Sequence, residues 1–219
     1  MNRKSLWLRW VGANALGEGL GLGLTFAVGY AAIMNFQDQV GVGVVLLNFL
    51  VAVASGGIEA TIVGLAQHWA MFPWFPNIAR RDWWLATLLG AMLAYVLGYL
   101  PSTLMDLAAQ SAPSPQTMTE PSQGIVLLLA AGLGVAGGAV LSFTQWWVLR
   151  DKVRRAGFWI PANMLAWLFG MPVIFWGIDL SQRGQPLWQV LLIMAGVLLL
   201  TGALVGAIHG LFLVRMVKD

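Results

Sequence analysis

Residues 125–149, IVLLLAAGLGVAGGAVLSFTQWWVL, run for 25 positions without a charge and give way at once to RDKVRR at 150–155. Wound as a helix at about 1.5 Å per residue, such a run is longer than the roughly 30 Å hydrocarbon core of a bilayer. Six apolar runs of membrane length follow one another along the chain, at about 10–34, 40–71, 83–100, 125–149, 158–178 and 187–216. They predict an all-α polytopic membrane protein, a single membrane domain over 1–219 with six transmembrane helices. The second run is too long for one straight crossing, so a tilt, a surface stretch or a break near Ser55-Gly56-Gly57 is expected. The opening MNRKSLWLRW resembles the basic start of a signal peptide, but a membrane-length run follows it with no small-residue cleavage site, and it is expected to remain as the first span.

Composition points the same way. The chain is 59% apolar and 10% charged, with a mean hydropathy of +0.77. A soluble domain carries about 25% charged residues, so the soluble, disordered and fibrous classes are excluded. The absence of cysteine excludes a disulfide scaffold, thiol catalysis, iron–sulfur clusters and thiolate zinc sites. The net charge of +3 does not indicate nucleic acid, because the basic residues are few and dispersed between apolar runs.

Those basic residues act instead as a compass. Arg3, Lys4 and Arg9 precede the first span, Arg80 and Arg81 lie between the second and third, Arg150, Lys152, Arg154 and Arg155 between the fourth and fifth, and Arg215 and Lys218 after the sixth. The alternate connections hold only Arg183, beside Asp38, Asp106, Glu120 and Asp179. Short loops rich in Lys and Arg stay in the cytoplasm, which puts both termini there. The stretch 101–123, with Pro101, Pro113, Pro115 and Pro121, then reads as an external loop with a short surface helix around 102–109. Trp7, Trp10, Trp69, Trp74, Trp83, Trp84, Trp146, Trp147 and Trp159 fall near the inner boundary and Trp176 and Trp188 near the outer one. They read as an aromatic belt, or as rings that pack on a partner or a planar cofactor.

Part of the chain also looks duplicated. Gly64-Leu-Ala-Gln67-His68-Trp69 ends the second span much as Ser142-Phe-Thr-Gln145-Trp146-Trp147 ends the fourth, and each is followed by a basic loop and a tryptophan-led helix. The end of the sixth span, 206–215, matches 144–150 when Gly210 is placed at the glutamine position. Both clear copies start from the same side, which predicts parallel internal hairpin repeats rather than the inverted repeats common among alternating-access carriers. The Gln-[aromatic or His]-Trp helix ending, the basic loop, the next helix with Asn163 and Trp167, and the Gly-x-x-x-Gly last helix resemble a group of small polytopic membrane proteins of phototrophic bacteria. The resemblance covers about 56–215. It implies a protein of the bacterial inner membrane, associated with larger membrane complexes, and carries no activity with it.

Small residues recur at spacing four in Gly17 with Gly21, Gly134 with Gly138, and Gly202, Gly206 and Gly210, so each set shares a helix face. Such faces serve close helix packing, either inside the domain or against another membrane subunit. Glu18 and Glu59 are the sharpest polar signal, because a charge deep in a bilayer is costly and needs a partner, a proton or a hydrated path. Counted inward from the tryptophans their depths match, and Asn14, one turn before Glu18, is a candidate partner. Gln67 and Gln145 read as cross-helix locks or as headgroup or ligand contacts. His68 and His209 have imidazoles able to touch a ligand or a pigment magnesium, but without companion ligands at suitable spacing no metal site is assigned.

No phosphate-binding lysine loop, Gly-x-Ser-x-Gly elbow or His-Glu-x-x-His is present, and no catalytic residue is assigned. The sequence therefore predicts a non-enzymatic integral subunit that packs against other membrane proteins, in a bacterial photosynthetic or respiratory complex, with lipid, quinone or chlorophyll-type pigment in its grooves. The alternative is a small carrier or channel that uses Glu18 and Glu59.

Overall fold

The computed structural model describes residues 2–36, 41–110, 121–181 and 184–217. They form α1 (Arg3–Phe36), α2 (Val42–Met71), α3 (Arg80–Gln110), α4 (Gln123–Leu149), a single 3-10 turn (Ala156–Phe158), α5 (Trp159–Leu180) and α6 (Leu187–Met216), with no strand among the described residues. All six α-helices are long and apolar enough to cross a bilayer, as expected of a multi-pass membrane protein. No side chain caps the start of α2, α4, α5 or α6. In hydrocarbon the helix needs no such help, because every other arrangement of the segment leaves amides unpaired.

Each helix packs against its neighbours in the chain, and α6 returns to pack against α1, so the six close into a ring. The start of α1, the end of α2, the start of α3, the end of α4, the start of α5 and the end of α6 meet at one end. There Leu6, Trp10, Met71, Ile78, Trp83, Leu149, Trp159 and Leu213 form a continuous buried core. A smaller cluster of Leu22, Ile174 and Leu198 lies farther along. Leu128, Leu129 and Leu192 point outward and are more than 60% exposed, as lipid-facing side chains should be.

Two expectations are corrected. The chain does not break at Ser55-Gly56-Gly57: α2 is continuous, and the small residues serve packing instead. A Cβ on Gly56 would lie 2.6–2.8 Å from the ring of Tyr95, so the glycine seats that ring, while Ser55 offers its carbonyl to Thr25 Oγ1 at 2.9 Å. Likewise the connection after the third span does not begin at 101. Proline costs one amide bond, but α3 runs through it to Gln110. Past the proline, Ser102 Oγ and Thr103 Oγ1 both donate to the Tyr99 carbonyl, at 3.0 and 2.8 Å. The expected surface helix at 102–109 is the end of α3, and 111–120 lies outside the described residues.

The glycine stripes are spent inside the ring. A Cβ on Gly17 or Gly21 would press on the α2 backbone at Val63 or Glu59, and one on Gly134 or Gly138 on α5 backbone at Trp167 or Asn163. On α6, Gly202 and Gly206 abut α1 at Asn14, and Gly210 faces the rings of Trp7 and Trp10. Close backbone approach replaces the hydrophobic drive that lipid does not supply.

Candidate functional site

Three of the tryptophans expected at the boundary stand instead in the centre of the ring. Trp10, Trp83 and Trp159, from the starts of α1, α3 and α5, are fully buried. They meet edge to face, with ring centroids 5.8 Å apart for Trp10 and Trp159, 5.9 Å for Trp83 and Trp159, and 6.4 Å for Trp10 and Trp83. An indole buried this way must find an acceptor for its N–H. Each finds one on an even-numbered helix: Trp83 donates to Gln67 Oε1 at 3.3 Å, Trp159 to Gln145 Oε1 at 2.8 Å, and Trp10 to His209 Nδ1 at 2.7 Å.

Because an indole nitrogen only donates, these bonds fix the orientation of their partners. With Oε1 engaged, the amide nitrogen of Gln67 donates to Asn14 Oδ1 at 2.8 Å and that of Gln145 to Thr87 Oγ1 at 3.0 Å. Asn14, Thr87 and Asn163 each stand four residues after one of the three tryptophans and donate back to its carbonyl, at 2.8, 2.9 and 2.9 Å. On α6 the acceptor is His209 rather than Gly210, the position that the sequence match puts opposite the glutamines. Accepting a hydrogen bond at Nδ1 requires a nitrogen without its own hydrogen, so the neutral His209 ring carries its hydrogen on Nε2. Gln67 and Gln145 are thus cross-helix locks of a tryptophan layer that closes one end of the ring.

The carboxyls lie in a second layer. Glu18 is eight residues after Trp10 and Glu59 eight before Gln67, about 12 Å beyond the tryptophans. Glu18 is 2% exposed and Glu59 8%. Their side chains lie close to one another across the α1–α2 contact, and Tyr95 of α3 donates its hydroxyl to Glu59 Oε2. Two neighbouring carboxyls inside a bilayer are stabilised by a proton or a cation, because both cannot ionise there unpaired. Glu18 Oε2 has no hydrogen-bond partner among the described residues, and neither does the hydroxyl of Thr201 on α6, next to Gly202, which packs on Glu18. Tyr99, one turn beyond Tyr95, stacks on it at 6.0 Å and is 44% exposed, so the polar line runs away from the tryptophan layer.

The expected pairing of Asn14 with Glu18 is not the one found: Asn14 belongs to the tryptophan layer, bonded to Trp10 and Gln67. His68 is not beside His209 in role. Its Nε2 bonds the Ile78 carbonyl at 3.0 Å and ties the end of α2 to the turn before α3. Trp69 and Trp147 are the exposed rim of this end, each stacked by an arginine: Arg9 lies 4.5 Å over Trp69 and Arg150 3.5 Å over Trp147.

Tyr95, Thr87 and the layer-forming role of Trp10, Trp83 and Trp159 were not read from sequence. A signal was available in the spacing Trp-x-x-x-[Asn/Thr], which occurs at 10/14, 83/87 and 159/163. No family model, characterised protein or solved structure matches this chain.

Proposed function

We propose that this chain is a small carrier or channel that holds a proton or a small cation at Glu18 and Glu59. The observation that carries this reading is the meeting of two membrane-buried carboxyls with the Tyr95 hydroxyl, with one carboxyl oxygen left unpartnered. Polar groups of this cost persist in membrane helices where an ion or proton uses them. The tryptophan layer closes one end, and the line from Tyr95 to Tyr99 supplies access from the other. In liposomes, Glu18→Gln and Glu59→Gln, which keep shape and lose the acid, are expected to reduce proton or cation flux at least about 10-fold, the loss of an essential group. Their melting in detergent should stay close to that of the parent chain. Unchanged flux in both variants sinks the reading.

The second reading is a non-catalytic subunit of a larger bacterial photosynthetic or respiratory complex, with lipid, quinone or pigment on its surface. It draws support from the exposed Trp69 and Trp147 rim and from the resemblance to proteins of phototrophic bacteria. The glycine sets 17/21, 134/138 and 202/206/210 pack within the ring, so this reading rests on the rim rather than on those faces. Recovery of a defined set of membrane proteins with the chain from native membranes, under mild detergent, would favour it over the ion reading.

Under either reading we place the chain, as a non-enzymatic protein, in the bacterial cytoplasmic membrane with both termini in the cytoplasm. The gathering of eleven of the 12 Lys and Arg residues in alternate connections supports that orientation. We also propose parallel hairpin repeats as its origin. Their support is the Trp–Gln hydrogen bond between α2 and α3 and again between α4 and α5, with Trp–His between α6 and α1.

A further inference from the structure

At the tryptophan end, a cleft of about 130 Å³ opens between the turn before α5 and the last turn of α6. It is lined by Arg155, Phe158, Phe212, Arg215 and Met216. Both arginines are exposed. Among the described carboxylates of this end, Asp82 is engaged by Lys152 and Asp151 by Arg150, each at 3.2 Å. No ion pair forms at Arg155 or Arg215 among the described residues; the two guanidinium groups stand over an apolar floor, that of Arg215 5.9 Å from the Phe212 ring. Phe158 is 55% exposed beside the cleft.

The backbone adds a second peculiarity. Arg155 has φ 59° and ψ 28°, the left-handed region, and is the only non-glycine among the described residues with positive φ. A glycine would take this corner without strain. The side chain that stands there lines the cleft.

We propose that this cleft is a binding site for the headgroup phosphate of an acidic phospholipid, with Arg155 and Arg215 on the phosphate and Phe158, Phe212 and Met216 along the glycerol and upper acyl chain. Guanidinium groups match phosphate geometry through paired N–H donors. A basic pocket between membrane helices at the basic face of the bilayer is where an anionic headgroup lies. A soluble phosphate would use the arginines alone; the aromatic and methionine lining suits a ligand that carries hydrocarbon. The site lies at the opposite end of the ring from the access path of the ion reading, and it does not depend on that reading.

The test adds phosphatidylglycerol, phosphatidylcholine or inorganic phosphate to the full chain in detergent and follows its melting temperature, with native mass spectrometry to count retained lipid. Phosphatidylglycerol should raise the melting temperature and be retained at one equivalent, while phosphatidylcholine and inorganic phosphate should not. The pair Arg155→Gly with Arg215→Gln should weaken this apparent affinity about 30-fold, as expected for losing two basic residues at an anionic headgroup. Arg155→Gly relieves the backbone while it removes the guanidinium, so the variant keeps its fold. The pair Arg80→Gln with Arg81→Gln removes the same charge from the same end and should leave the affinity near that of the parent. Equal loss in both pairs would mean diffuse attraction, an equal response to phosphatidylcholine an unspecific lipid effect, and an equal response to inorganic phosphate a soluble ligand; each of these overturns the proposal. Failure of the parent chain to retain phosphatidylglycerol overturns it without any variant.

Discussion

The tryptophan layer shows how a single N–H governs a buried cluster. Trp83→Phe keeps most of the ring and deletes the donor, which leaves Gln67 Oε1 without its partner in the interior. An orphaned buried acceptor costs about 1–3 kcal/mol, so thermal unfolding in detergent should fall by a corresponding amount. Trp69→Phe, at a ring 64% exposed, should change stability by less than about 0.5 kcal/mol. Equal effects would mean that the N–H bonds of the layer contribute nothing. At this scale the sequence was only partly legible. A tryptophan near a membrane boundary faces headgroups or the interior according to which side of its helix it occupies, and that depends on acceptors 14 to 199 residues away. Glu18 and Glu59 were easier, because a deep acid is conspicuous whatever surrounds it. Tyr95, a phenol inside an apolar run, gave no such warning.

Among the elements, α4 and α5 make the clearest case for contact set by glycine. A Cβ on Gly134 would collide with the Trp167 carbonyl, a backbone atom that moves only if α5 does. Gly134→Ala is therefore expected to destabilise by about 1–3 kcal/mol, as over-packing does. Gly132→Ala, on the same helix with open space before it, should be neutral or stabilising by up to about 1 kcal/mol from helix propensity alone. Paired melting curves decide this, and a loss of equal size at both positions would refute the contact argument. Helix number and type could be read from apolar run length, since a bilayer imposes helix on any segment that long. The ends could not. Pro101 and the Ser-Gly-Gly triplet at 55–57 carry breaking chemistry by soluble-protein standards, yet α3 runs through the proline, and in α2 the Tyr95 ring is seated on Gly56.

For the whole molecule, orientation is the property most open to a direct check. The chain has no cysteine, so any one introduced is a unique label site. Asp151→Cys, in the basic turn after α4, and Gly124→Cys, at the start of α4, should react with a membrane-impermeant thiol reagent from opposite faces of intact cells, Gly124→Cys from outside. Reaction of both from the same face would overturn the proposed threading. Ring closure itself left no trace in the sequence, because adjacency of α1 and α6 is a contact between the two ends of the chain.

That closure has a consequence for chain order. Since every helix borders the next and the sixth borders the first, neighbour relations are those of a circle, and no cut between helices separates a pair that a short bridge elsewhere cannot keep. The ends of α1 and α6 meet where Trp7 donates to the Ala207 carbonyl at 3.1 Å. A gene rearranged to begin at α3 and finish with α2, bridged from 217 to 3, preserves each packing partner and each direction of crossing. Such a shuffled order is tolerable wherever insertion does not require α1 to lead.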